Sequence, residues 1–168
     1  LLEDNHIKIV ELEAGDEYDG MQTCVNGNIP VIVINKRKVH KADRQRFTAL
    51  HELGHLLLPI DHLPKNQRET LCNQFDGALL IQQEKKKKEL GEEKRLRLSV
   101  EELGAIKKEY GISMQAIVMR AKDLGIVSQN YCRQFFQMMK MMNWRIEEPV
   151  DYPGREISNR FDQLLFRA

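Results

Sequence analysis

The chain has 168 residues, enough for one sizeable domain or two small ones. Hydrophobic residues make up 42% and charged residues 30%, an ordinary globular balance, and the net charge of +1 excludes a strong general pull toward nucleic acid or anionic membrane. No apolar run approaches the roughly 20 residues that a bilayer span needs.

The N-terminal stretch is acidic and lacks an apolar core, so no export signal is read in it. The three cysteines, Cys24, Cys72 and Cys132, are odd in number, widely spaced and outside any CxxC. That suits reduced thiols in a cytoplasmic setting better than a disulfide framework. Cys24 and Cys132 are read as buried or inert thiols, not as nucleophiles.

Residues 7–12 (IKIVEL) have the look of a strand. Asn26-Gly27-Asn28 signals a turn. The β-branched run 29–34 (IPVIVI) follows as a second strand, and Pro30 near its start suggests an edge or strand-end position. If it is an edge strand, it can bind an extended peptide by strand addition. Asp43 is a candidate cap for a helix running to about Leu58, where Pro59 stops it. A second helix is expected from Pro64 or Lys65 to Gln83.

Residues 82–97 (QQEKKKKELGEEKRLR) mix both charge signs. A solvated helix end and linker explains them better than a basic nucleic-acid patch. The expected organisation is therefore a catalytic part over 1–84, a charged linker over 85–98, and a helical part with a C-terminal extension over 99–168. Ser99 opens a capping box with Glu102, and Val100, Leu103, Ile106 and Tyr110 form one apolar stripe. Ser113 caps the next helix, which ends at Gly125. A third helix is expected over 129–142, with Phe135, Met138, Met139 and Met142 as core filling. Residues 161–166 make a short amphipathic end.

The chemistry is concentrated in ALHELGHLLLPIDH, residues 49–62. His51 and His55 stand at i and i+4, so on a helix both imidazoles reach one ion. Glu52 lies beside that ion, placed to take a proton from a zinc-activated water, as in zinc peptidases with the HExxH pattern. The helix around them is apolar almost all round, which is normally a buried setting. Burying these polar groups without partners is costly, and a metal removes the cost.

Catalytic zinc takes three protein ligands and keeps a position for water. Asp61, His62 and Glu69 are the candidates for the third. Asp61 has a known zinc-peptidase spacing, but that geometry needs a glycine at 58, where the chain has Leu58. His62 lies just before Pro64, in the loop expected between the helices. Glu69 is favoured, because a short turn brings the second helix back antiparallel to the first. Asn73 and Asp76 share its helix face and can accept the outer ring N–H of a ligand histidine. Zinc is the expected ion, and manganese or iron also fits a His/His/Glu donor set. An oxyanion donor is expected, with Arg120, His40 and Tyr110 as the candidates.

RFTALHELGHLLL (46–58), ETLCNQFDGALL (69–80), YGISMQAIVMRAKDLGIVS (110–128) and NWRIEEP (143–149) together resemble the ImmA/IrrE family of bacterial zinc metallo-endopeptidases. The resemblance covers most of residues 29–168. It implies an α+β, mostly helical fold, with a small sheet and a gluzincin-like HExxH helix, followed by a helix-turn-helix-like subdomain. It also implies His51 and His55 as ligands, Glu52 as the catalytic glutamate and Glu69 as the glutamate opening the next motif. The implied substrate is a helix-turn-helix repressor or antitoxin, whose cleavage relieves transcriptional repression in stress or mobile-element control. The chain departs from the family at Asp76-Gly77, where small residues are usual, and at Ile81-Gln82, where Met-Pro is usual.

Residues 103–125 also look like a helix-turn-helix unit. A DNA-reading helix over 113–124 turns Gln115, Arg120, Lys122 and Asp123 outward, only two of them basic. Phosphate neutralisation supplies much of DNA affinity. Direct DNA binding is therefore disfavoured against a packing or substrate-docking role. The rival to the peptidase is a zinc-containing transcriptional regulator that binds DNA or a repressor without cutting it.

Overall fold

In the computed structural model, the residues described are 2–80, 90–91, 94–145, 147–154 and 166. Two compact units divide between Cys72 and Asn73, the second being Asn73–Gly154. The fold is α+β: among the described residues it has five helices and a three-stranded sheet. No helix among them is long and apolar enough to cross a membrane.

The first unit opens with the sheet. Strand β1 (Lys8–Leu12) runs parallel to β3 (Ile29–Asn35), and β2 (Gly20–Val25) runs antiparallel to it, in the order β1-β3-β2. Of the two positions expected for Pro30, edge or strand end, the strand end holds: Pro30 is the second residue of β3, and β3 is the central strand, paired on both sides. Its β-branched content suits that place, since Ile32 and Ile34 are buried in the core. Pro30 is tolerated because it pairs near the hairpin end, opposite Cys24. The hairpin turns through Asn26 (φ 52°) and Gly27 (φ 73°), the left-handed conformations that Asn and Gly accept most readily.

A buried Asn35 organises the loop that leads into β2. Its Oδ1 accepts from the Ala14 N–H (3.1 Å), and its Nδ2 donates to the carbonyls of Gly15 (2.7 Å) and Tyr18 (3.1 Å). Hydrophobic periodicity gives no sign of this loop.

Helix α1 (Ala42–Leu57) packs on β2 and β3. Its N-cap is Lys41, which makes no side-chain cap bond, so the expected cap at Asp43 is corrected. Asp43 lies inside the first turn and is buried. Ala49, Leu50 and Leu53 face the core, whereas Leu57 is 62% exposed. The helix is therefore not enclosed all round, and its apolar C-terminal end meets solvent. Leu58 is extended, as the following Pro59 demands.

Helix α2 (Lys65–Leu80) follows a short loop anchored by buried Ile60. The last residues expected in it, 81–83, lie outside the described residues, as do Ile81-Gln82 of the family comparison. Helices α1 and α2 approach each other closely at Gly54 and Cys72.

The second unit is helical: α3 (Val100–Tyr110), α4 (Met114–Asp123) and α5 (Gln129–Met141). Each opens on a serine whose Oγ accepts a backbone N–H three residues on: Ser99 from Glu102, Ser113 from Ala116, Ser128 from Tyr131. The Glu102 carboxylate is gripped by both terminal nitrogens of Arg95, so it is not a simple reciprocal capping box. The turn between α3 and α4 uses Gly111 at φ 65°.

Leu103, Ile106, Met114, Ile117, Val118, Phe135 and Met139 are buried in one core. Met142, expected there, is 56% exposed because α5 has already ended. Of the charged segment 85–98, only 90–91 and 94–98 are described, and Leu90 and Leu98 belong to this core. The amphipathic end at 161–166 lies outside the described residues except Phe166, which is exposed.

A buried ion pair ties the tail to the helices. Lys107 donates to Glu148 Oε2 at 2.8 Å, with side-chain exposures of 2% and 7%. Glu148 also accepts from the backbone N–H groups of Met114 (3.0 Å) and Gln115 (3.3 Å). An anionic group is thereby seated at the N-terminus of α4, where the helix dipole favours it. This gives a physical reason for the glutamate in NWRIEEP.

Candidate active site

Helix geometry brings His51 and His55 to one face of α1. Their ring centroids are 5.0 Å apart, edge to face, and the Nε2 atoms approach to 3.3 Å. Phe47, one turn earlier, stacks on His51 at 6.3 Å and 26°, limiting how that ring turns. Glu69 reaches both rings from the first part of α2. Its Oε2 lies 3.0 Å from His51 Nε2, and its Oε1 lies 3.6 Å from His55 Nε2. The histidine side chains are 16% exposed and the Glu69 side chain 42%, so the cluster opens to solvent on the carboxylate side.

These separations fit a metal. Zinc bonds of roughly 2.0–2.1 Å in tetrahedral array put neighbouring donor atoms about 3.3 Å apart. The two histidine nitrogens, 3.3 Å apart, meet that value, and one donor atom from each of His51, His55 and Glu69 lies within 4.8 Å of the others. Two nitrogens and one carboxylate oxygen are also the donor types zinc accepts. Among the described residues, His51, His55 and Glu69 form the group able to hold an ion, and Asp61 and His62 are not in it. Both of those residues are exposed.

Burial pushes the His55 imidazole below its ordinary value of 6.5, and the neighbouring His51 pushes the same way. The Glu69 carboxylate opposes this without reversing it. The outcome is a neutral ring near pH 7, the form that binds a metal. Arg68 also lowers His55, and its Nε is buried. Sequence reasoning overlooked this cation, although it adjoins Glu69.

Glu52 follows His51 directly on α1, and its side chain lies against the start of β2. A Cβ added to Gly20 would lie 3.3 Å from Glu52 Cγ and 2.5 Å from Thr48 Cγ2. Only a glycine lets β2 come this near the helix. Gly20→Val is therefore expected to lower the melting midpoint through an overpacking penalty of roughly 1–3 kcal/mol. Thr48→Ser, which removes the crowding methyl, should return part of it in a circular dichroism melt.

The other expected site residues are placed as follows. Asp76 is fully buried and Asn73 is exposed, both on α2. His40 is exposed just before α1. Tyr110 packs against the helical core, and the Arg120 side chain lies along Gly77 with its Nε buried. Among the described residues, neither His40 nor Asp76 is in the metal-binding group. Cys24 is exposed, whereas Cys72 and Cys132 are buried, and all three are free thiols. Burial pushes the Cys132 thiol up, which makes it a poor nucleophile.

A family model for peptidases, described as the IrrE N-terminal-like domain, matches residues 2–122. The chain belongs to this family. No curated protein matches it. The matched span holds the sheet, α1, α2, α3 and nearly all of α4. Membership makes the chain a member of a metallopeptidase family with a protein as the implied substrate. The segment around Glu148 lies beyond the match.

Proposed function

We propose that the chain is a zinc-dependent, site-specific endopeptidase that cleaves a helix-turn-helix repressor or antitoxin and so relieves transcriptional repression. The observation that carries this is the gathering of one donor atom each from His51, His55 and Glu69 within 4.8 Å of one another, with Glu52 next to His51 on the same helix. A purely structural metal site has no use for that fourth group.

His51, His55 and Glu69 would hold the ion. When bound, zinc supplies Lewis-acid polarisation of the scissile carbonyl and of the attacking water. Glu52 takes a proton from that water and passes it to the leaving nitrogen, as general base and then general acid. Phe47 keeps the His51 ring in place. Asn73 and Asp76 remain proposals for orienting the histidines, and Arg120, His40 and Tyr110 for the oxyanion.

Strand addition moves from β3 to β2. Strand β2 has one partner among the described strands, and its first residue abuts Glu52. An extended substrate added along β2 would pass the general base.

Direct DNA binding remains disfavoured. Of the two outward cations on α4, Lys122 pairs with Asp123 at 3.0 Å and Arg120 lies along Gly77.

The test is a cleavage assay against repressors encoded beside this gene. Glu52→Gln should hold zinc like the parent and lose cleavage by about 10²–10⁴-fold, the usual share of general acid–base catalysis. Zinc-loaded parent protein that leaves every such repressor intact, yet binds operator DNA, would instead favour the non-proteolytic regulator.

A further inference from the structure

We propose that Gly54 and Cys72 act as a spacer that sets Glu69 within reach of both histidines, so that their size controls metal affinity. The inference rests on the metal reading of the site given above. Neither residue offers a donor atom to the group formed by His51, His55 and Glu69.

Gly54 lies on α1 between the two ligand histidines. Cys72 lies on α2, one turn after Glu69. A Cβ added to Gly54 would sit 3.2 Å from Cys72 Sγ and 3.3 Å from both its Cα and its Cβ. Carbon atoms in ordinary contact stand roughly 3.5–4.0 Å apart. Two of the three crowded atoms are held by the backbone, so a side-chain rotation cannot make room. Any residue larger than glycine at 54 must push the helices apart.

Glycine disfavours a helix interior, and Gly54 is not among the glycines with positive φ. Close approach is therefore the physical reason for a glycine there. Cys72 is fully buried, so the contact has no solvent side into which it can relax. Glu69 and Cys72 stand three residues apart on one rigid helix, and a shift at Cys72 carries the carboxylate with it. Metal centres tolerate about 0.2 Å in bond length. A displacement of a few tenths of an ångström thus weakens the centre before it disturbs the fold.

The test is zinc affinity of the full chain, measured by competition with a chromophoric chelator, beside thermal melting of each metal-free variant. Gly54→Ala should bind zinc at least about 10-fold more weakly, since even outer partners of metal ligands cost roughly 10–100-fold when lost. Its metal-free melting midpoint should not fall correspondingly. Cys72→Leu, which enlarges the same contact from the other side, should weaken zinc as well. Adding Cys72→Gly to Gly54→Ala removes two of the three crowded atoms and should recover most of the affinity.

Equal zinc affinity in parent and Gly54→Ala overturns the spacer alone. So does a double variant that recovers nothing while Cys72→Gly by itself binds normally. A parent protein that binds no zinc overturns the metal reading and the spacer together. Tight zinc binding without any cleavage removes only the peptidase reading.

Discussion

Glu69→Ala is expected to lower zinc affinity at least 100-fold, beyond the roughly 10–100-fold that follows loss of an outer partner of a metal ligand. The carboxylate is the anionic donor of the group, 3.0 Å from one histidine nitrogen and 3.6 Å from the other. Without it, two imidazoles on α1 face each other at 3.3 Å with no anionic donor to balance a divalent ion. Glu69→Gln keeps the shape and one oxygen donor but not the charge, so it should fall between parent and Glu69→Ala. The alternatives make the outcome decisive. Asp61 and His62 are exposed and outside the group. If zinc affinity survives Glu69→Ala and drops in Asp61→Ala or His62→Ala, the third ligand has been misassigned. The measurement is chelator competition on purified protein, with metal content as a second readout.

What the sequence could convey about this site depended on distance along the chain. His51 and His55 were legible because helical periodicity alone places i and i+4 side by side. Glu69 required a step between helices, and the loop length with the second apolar run supplied it. The manner of that step was not legible. The sequence led only to an antiparallel return; the close approach of the helices at Gly54 and Cys72 is one that no hydrophobic pattern encodes.

Gly20 was invisible for a similar reason. Strand β2 (GMQTCV) has little apolar alternation, and it is held by pairing with β3 and by the Asn35-organised loop. Pro30 made the run 29–34 read as an edge or strand-end position, and only the second neighbour, β2, decides between them. The serine caps of the helical unit were legible because capping is local. Asp43 misled because a good capping residue type was used inside the first turn instead.

Lys107→Ala is expected to be the most destabilising single change in the helical unit. Lys107 and Glu148 are both nearly inaccessible, so removing the ammonium leaves a carboxylate buried without its counter-charge. Breaking such a pair from one side costs roughly 3–5 kcal/mol. In a unit of this size each kcal/mol moves the midpoint by roughly 4–8 °C, so a fall of at least about 12 °C is expected in a thermal melt. Glu148 retains the backbone N–H groups of Met114 and Gln115, which soften the loss but do not neutralise it. Glu148→Gln should also destabilise, because it leaves the buried ammonium facing a neutral amide that can still accept from the helix terminus. The double variant Lys107→Met with Glu148→Gln removes both charges and keeps the volume and the acceptor. It should melt above either single variant, since the cost comes from an unpaired buried charge and not from loss of the pair as such. Additive losses in the double variant would show that Lys107 and Glu148 act on the fold separately.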